Sequence, residues 1–203
     1  LDTAARRQQT LQIRSQPFIR DDTPSWYWNT GAKWDKKVFK ASGIKVPDHN
    51  DPLYLRHWGQ HIRAIGERLD GHPALESVDV AYGGACGECG GNAKQRTAER
   101  LVDLYLRAFK KTQLLSMLGG DGCRYASTKK RNFGWRADCF GDMRTDGQGG
   151  VPEGLCWNHM AEAYPQEVAE SGVTDAWRIA PVVLESCWTV PHWQQQGWNL
   201  DHI

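Results

Sequence analysis

The sequence lacks any long apolar run, and none approaches the ~20 residues that a membrane-spanning helix needs. We therefore expect a soluble protein with no membrane partner. The amino-terminal residues 1–7 also lack an initiator methionine and the apolar core of a secretion signal. A signal is then either absent or outside this chain, which leaves the compartment open, secretion included.

An excess of charge of either sign is also lacking. The 25 basic and 24 acidic side chains are spread along the chain and give a formal net charge of +1. Without a basic patch, no electrostatic attraction to a polyanion can be argued. We therefore expect no nucleic acid as a partner.

Cysteine is sparse, with six residues scattered from position 86 to position 187. This is neither a dense disulfide framework nor a pair of zinc-knuckle spacings, so we expect mostly reduced or isolated thiols. Cys86 and Cys89 have a zinc-like spacing, and Cys156 and His159 are weak further candidates. Because no second Cys or His pair lies at partner distance, we expect no metal.

Tryptophan and glycine are abundant, with ten and 21 residues respectively. This composition indicates loops and flat aromatic surfaces rather than a helical bundle. Sugar rings stack well on such surfaces. For any single tryptophan, packing in the core or in a loop remains the alternative.

Two patterns alternate along the chain: short apolar runs rich in β-branched residues, and longer segments of helical period. Strands are predicted at 11–18, 77–82, 114–118, 134–140 and 181–188, and helices at 52–71, 94–110, 122–130 and 157–170. A polar, tryptophan-rich loop is predicted between residues 21 and 51. The alternation implies parallel strands joined by right-handed crossovers, hence an α/β sheet or barrel.

A length of 203 residues favours one domain, residues 1–203. A doubly wound nucleotide-binding sheet is disfavoured because the glycines at 83–91 are irregularly spaced around the acidic Glu88, which would repel phosphate. We therefore expect no cofactor.

In a (β/α)8 barrel the active site is built from residues at the carboxyl ends of the strands. The predicted strand ends carry a set of polar side chains rich in carboxylates: Arg14, Gln16, Glu88, Asp121, Asp138, Asp142, Glu185 and Trp188. Breaking a glycosidic bond needs two carboxyl groups, one to protonate the leaving oxygen and one to attack the anomeric carbon or activate water. Acidic residues on separate strand ends suit that chemistry.

Several segments together resemble the β-galactosidase-like barrels of the large retaining glycoside-hydrolase clan. They are DPLYL at 51–55, IGERLDGHP at 65–73, VDV at 78–80, GE at 87–88, GWRADC at 134–139, GD at 141–142 and LESCW at 184–188. The resemblance covers nearly the whole chain. It implies a (β/α)8 TIM-type barrel that acts on a carbohydrate substrate, a β-galactoside by analogy.

The clan places its acid/base Glu after the fourth strand and its nucleophile Glu at the seventh. If the strand at Leu11 counts as the third, the resemblance puts Glu88 and Glu185 at these two positions. The chain is then an incomplete barrel of about five strands, three to seven, and an internal fragment. Gly87 stands where the clan has an Asn that binds the sugar 2-hydroxyl.

Each candidate has a plainer alternative. Glu185 lies within an apolar run, where an unpaired carboxylate is costly to bury, so we expect it to be paired, protonated or functional. Arg14 can pair with Glu185 and keep it ionised, although an ion pair without catalysis fits as well. Glu88 also fits an exposed loop acid.

We assign substrate binding to four residues at the mouth of the barrel. The alternatives are capping and loop roles for the two aspartates and loop packing for the tryptophan. The residues are Arg14, Asp138, Asp142 and Trp188.

A non-catalytic carbohydrate-binding or degenerate barrel is the alternative function, motivated by Gly87 and by the missing strands. An open barrel exposes its strand edges, here at Leu11 and Val182. We therefore expect the chain to self-associate through these edges.

Overall fold

The computed structural model describes residues 1–17, 22–83, 93–129, 133–142, 159–186 and 190–195. Within these ranges the strands are β1 (Leu11–Arg14), β2 (Leu75–Asp79), β3 (Gln113–Met117), β4 (Phe133–Phe140) and β5 (Val182–Ser186). The helices are α1 (Asp2–Arg6), α2 (Ser25–Asn29), α3 (Lys36–Ser42), α4 (Pro52–Leu69), α5 (Gln95–Ala108), α6 (Asp121–Ser127), α7 (Tyr164–Glu170) and α8 (Val190–Gln195). A π-helical turn, His159–Ala163, precedes α7, and a 3-10 turn, Ala176–Arg178, precedes β5.

The described strands form one parallel sheet in the order β1-β2-β3-β4-β5. Each strand therefore pairs with its neighbour in sequence, and helices occupy the connections. A doubly wound sheet would instead reverse its strand order at a switch point. This arrangement confirms the predicted fold class, a partial (β/α)8 TIM-type barrel.

The connection between β1 and α4 differs from the predicted loop because it contains the short helices α2 and α3. Asp35 caps α3 by accepting the backbone N–H groups of Lys37 and Val38 at 2.7 and 3.1 Å. These helices have five and seven residues, too few for a helical period to stand out in the sequence.

The main core lies between the sheet and the helices α4 and α5. Asp51 caps α4 by accepting the N–H of Leu53 at 3.0 Å, and Pro52 occupies the first turn, as the sequence predicts. The helices approach closely at Gly66, where an added Cβ would lie 2.5 Å from the carbonyl oxygen of Ala108. A larger residue there would push α4 away from α5.

Two buried tyrosines fix the chain as it leaves β2. The hydroxyl of Tyr54 on α4 donates to the carbonyl of Tyr82, and the hydroxyl of Tyr105 on α5 donates to the carbonyl of Ala81. Burial raises the pKa of both hydroxyls well above the usual tyrosine value, so both remain protonated donors. The backbone that leads towards the predicted acid Glu88 thus starts from a fixed position.

The outer strands of the described sheet are β1 and β5. Leu11 on β1 is 44% exposed and Leu184 on β5 is 40% exposed. Self-association through these edges stays a prediction. Among the helices in the described ranges, none has the length and apolar character needed to cross a membrane.

Asp70, directly after α4, joins that helix to the start of β3. Its carboxylate accepts the backbone N–H groups of Lys110, Lys111 and Thr112 at 2.9, 3.1 and 2.9 Å. Burial raises the pKa of Asp70, but these hydrogen bonds outweigh burial and hold the pKa below its usual 3.8. The ionised carboxylate therefore stabilises the α5–β3 turn.

Replacing Asp70 with Ala should lower the free energy of unfolding by about 1–3 kcal/mol at pH 7, because three backbone N–H groups lose their acceptor. The folded-state pKa lies below the unfolded value. The stabilisation is therefore complete above the unfolded pKa and is lost as the pH falls through the folded pKa. Urea unfolding of both proteins at neutral and acidic pH measures the difference.

Glu67→Ala is the matched control, since Glu67 is an exposed carboxylate near the end of the same helix. Its effect should stay within about 0.5 kcal/mol. Equal stability of Asp70→Ala and wild type at pH 7, or a difference that grows with acidity, would contradict the assignment.

Candidate active site

Charged residues collect on the inner face of the sheet near its carboxyl end. Arg14, the last residue of β1, lies in register with Asp79, the last residue of β2. Side chains alternate along a strand, so Ile13 and Val78 point to the opposite face and pack against the helices. At the other edge of the sheet, Glu185 on β5 is in register with Asp138 on β4, and Arg136 lies two residues before Asp138.

Asp79 holds this charge cluster together. Its side chain is 1% exposed, and its Oδ2 lies 2.8 Å from Arg14 Nε and 2.6 Å from Arg136 Nε. Arg136 is also buried, with 2% exposure, and its Nη1 contacts Asp138 Oδ1. Buried charges are tolerated only when they are paired. The carboxylate of Asp79 therefore provides negative charge to two guanidinium groups, one on β1 and one on β4.

Sequence reasoning missed Asp79 and Arg136. Both lay inside segments predicted as strands, as Arg14 did. A charged residue inside an apolar strand was therefore the signal that could have identified them.

Glu185, on the outer strand β5, contacts both arginines. Its Oε2 accepts a hydrogen bond from Arg14 Nη2 at 3.2 Å and lies 3.6 Å from Arg136 Nη1. The Glu185 side chain is 56% exposed. The apolar run around it predicts that Glu185 is paired, protonated or functional, and it is paired with both arginines. Because it lies near the carboxyl end of an outer strand, solvent also reaches it.

These groups face an open cavity of about 340 Å³. A volume of this order is within the range of small-molecule sites. One carboxylate and two guanidinium groups thus border a space that a ligand could enter. The residues that line it are Gln12, Arg14, Arg136, Val183, Leu184 and Glu185.

The end of β4 is irregular. The register with β5 shifts between Asp138 and Phe140, and Cys139 between them has a positive φ of 67°. Such a bulge re-aims the side chains around it. The Asp138 side chain is 34% exposed, and the Asp138 carbonyl accepts a hydrogen bond from Tyr164 at 2.5 Å.

Asp142, just beyond β4, has a buried side chain, 1% exposed, that lies 2.9 Å from Nδ1 of His159. An Nδ1–H donated to the carboxylate would fix the ring and leave Nε2 as the acceptor. The predicted contact of Asp142 with substrate would then pass through His159, which sequence reasoning considered only as a weak metal ligand.

Ligand atoms of Cys139, Asp142 and His159 lie within 4.8 Å of one another. Cys139 is disulfide-bonded, so it offers no thiolate to a metal. Among the described residues of this group that leaves Asp142 and His159, whereas zinc takes at least three ligands from the protein.

Cys139 departs from the expectation of mostly reduced or isolated thiols, which otherwise stays a prediction because four of the six cysteines lie outside the described residues. Spacing in the sequence does not reveal a pairing that the fold brings together. The other cysteine in the described ranges, Cys123, is a free, buried thiol, and burial raises its pKa to about 11. The predicted acid/base Glu88 and the predicted substrate contact Trp188 lie outside the described residues.

No family model matches the chain, and no curated protein matches it. Similar solved structures include endo-glycoceramidase II from Rhodococcus sp. in a cellobiose-like isofagomine complex, 11% identical with a TM-score of 0.45. That match covers 92% of this chain and 59% of the other. A five-membered iminocyclitol complex of the same protein is 12% identical, with a TM-score of 0.44 and coverages of 92% and 58%. The chain thus spans less than two thirds of that protein, and a likeness this distant says nothing about substrate or mechanism.

Replacing Asp79 with Asn should destabilise the chain by about 3 kcal/mol, because the buried Arg136 loses the buried carboxylate at its Nε and then depends on the more exposed carboxylates of Asp138 and Glu185. Urea unfolding measures this. Asp121→Asn is the control, since Asp121 forms an exposed i,i+3 pair with Arg124 and should cost less than about 1 kcal/mol. If both variants unfold at the same urea concentration, Asp79 does not hold the cluster together.

Proposed function

We propose that this chain, residues 1–203, is a partial catalytic barrel of a retaining glycoside hydrolase, with Glu185 as its nucleophile. The supporting observation is the Glu185 carboxylate, which two arginines hold at the carboxyl end of β5 beside an open cavity. Strand ends at this face form the active sites of (β/α)8 barrels.

The geometry at Glu185 suits attack on an anomeric carbon. Within the described part of the chain, both arginine contacts go to Oε2, which leaves Oε1 available to form the bond to the sugar. The fixed guanidinium groups orient the carboxylate before substrate binds. Such pre-positioning lowers the entropic cost of reaching the reactive geometry.

The second carboxyl group is Glu88, by resemblance to the clan. In a retaining mechanism it protonates the leaving oxygen while Glu185 bonds to the anomeric carbon, and it then takes a proton from the water that breaks this bond. The chain reaches Glu88 shortly after Tyr82, where Tyr54 and Tyr105 fix the backbone at the carboxyl end of β2. The position of Glu88 in the sequence, shortly after the end of β2, supports the proposed pairing with Glu185.

Substrate contacts in this proposal are Arg14, which lines the cavity, Asp138, which is in register with Glu185, Asp142 acting through His159, and Trp188. A β-galactoside as substrate rests on the resemblance alone. Carbohydrate as the substrate class also fits the abundance of tryptophan.

A carbohydrate-binding barrel without hydrolysis is the second candidate. The ion pairs of Glu185 with two arginines also fit a purely structural role. Gly87, in place of the clan's Asn, removes one contact that strengthens in the transition state.

The proposal predicts that Glu185→Gln lowers the rate of aryl glycoside hydrolysis by roughly three orders of magnitude or more, because the amide does not form the covalent intermediate. An aryl β-galactoside is the first substrate to assay. Release of the aryl alcohol measures turnover. Glu76→Gln is the matched control, because Glu76 is an exposed glutamate near the amino end of β2, away from the catalytic face.

Equal turnover by Glu185→Gln and wild type would rule out Glu185 as the nucleophile. Sugar binding by calorimetry without any wild-type hydrolysis would select the non-catalytic barrel instead.

A further inference from the structure

A second cavity lies in the connection between β1 and α4. This connection leaves the carboxyl end of β1, which is the end of the sheet that carries Arg14 and Glu185. Its volume is about 540 Å³. The residues that line it are Gly31, Ala32, Lys33, Trp34, Asp35, Lys36, Lys37 and Asp48.

Trp34 gives this cavity a flat apolar surface. Its side chain is 38% exposed. Phe39 makes an edge contact with the ring at 6.3 Å between centroids, and Lys45 Nζ lies 4.5 Å from the ring centroid. These contacts hold the indole in place while part of it stays open to solvent.

The backbone around Trp34 is fixed independently of any ligand. The N–H of Lys33 donates to the buried Asp51 at 2.6 Å, and the N–H of Asp35 donates to the carbonyl of Val46 at 2.9 Å. Asp48 donates its N–H to the carbonyl of Lys33 at 3.0 Å. A site formed in advance loses less conformational entropy when it binds.

The two acids that line the cavity are already engaged. Asp35 is buried and accepts two backbone N–H groups of α3. Asp48 accepts the backbone N–H of Asn50 at 2.9 Å.

Three exposed lysines also line this cavity. Within the described ranges, Lys33, Lys36 and Lys37 form no ion pair. The open face of the cavity is therefore aromatic, and its three lysines outnumber its two carboxylates, which are engaged with backbone N–H groups.

We propose that this cavity binds an acidic saccharide, with a sugar ring on Trp34 and its carboxylate at the lysines. The apolar C–H face of a sugar ring matches a partly exposed indole, and a carboxylate matches ammonium donors. The choice of a saccharide rests on the proposed function, whereas the preference for an acid rests on the three lysines alone.

The test is calorimetric titration of the full chain with trigalacturonate and with its methyl ester. The two ligands share their rings and linkages and differ in charge. At low salt the acid should bind at least about tenfold more tightly, a difference of 1.4 kcal/mol. The preference should shrink as salt screens the lysines.

Variants of the cavity separate the contribution of the Trp34 ring from that of the lysine charges. Lys36→Gln combined with Lys37→Gln should reduce the preference for the acid, because Lys33 alone then remains. Trp34→Ala should weaken the binding of both ligands by at least about tenfold, whereas Trp34→Phe should retain binding. Trp26→Ala and Lys40→Gln are matched controls, because neither residue lines the cavity. Trp26 is 55% exposed on the same connection, and Lys40 is exposed on α3. Both controls should bind like wild type.

Three outcomes would overturn the proposed acidic-saccharide site. They are equal affinity for acid and ester, no binding of either ligand, and binding that survives both Trp34→Ala and the double lysine change. If the wild-type chain does not bind trigalacturonate at the Trp34 cavity but Glu185-dependent hydrolysis is intact, this inference is overturned and the proposed function stands. Acid binding at Trp34 with no hydrolysis of aryl glycosides would overturn the proposed function alone.

Discussion

The buried carboxylate of Asp79 is the constraint on which the inner face of this sheet depends. Two arginines, one on β1 and one on β4, turn their guanidinium groups inward, and Asp79 contacts both through one oxygen. Without Asp79, the buried guanidinium group of Arg136 would depend on the more exposed carboxylates of Asp138 and Glu185, which would raise the free-energy cost of its burial. The same two arginines contact Glu185 on β5, so one set of charges ties four strands together and orients the candidate nucleophile.

Local signals in the sequence were sufficient for the regular elements. The alternation of strands and helices predicted the parallel sheet, and the Asp51 cap with Pro52 predicted the start of α4. Glu185 and Arg14 stood out as charges in strand segments. Asp79 and Arg136 carried the same signal, but their importance depends on contacts between strands, which no local pattern shows. The disulfide at Cys139 is likewise a product of the fold, and α2 and α3 are too short for periodicity to reveal.

The carboxyl end of the sheet carries two chemically different surfaces. One is the cavity of Glu185, where a carboxylate is held by arginines. The other is the cavity of Trp34, where an indole stands among lysines. The cavity of Glu185 lies at strand ends, and the cavity of Trp34 lies in the connection that follows β1. This is expected for a barrel in which the strands supply fixed groups and the loops after them supply binding surface.

The separation of the Glu88 and Glu185 carboxyl carbons in a crystal structure of the chain tests the central claim most directly. A retaining pair predicts about 5–5.5 Å across one open cleft, because the nucleophile and the acid/base must both reach the same glycosidic bond. A separation of more than about 10 Å, or a Glu88 carboxyl buried away from the cavity of Glu185, would contradict the two-carboxylate mechanism and leave only the barrel fold.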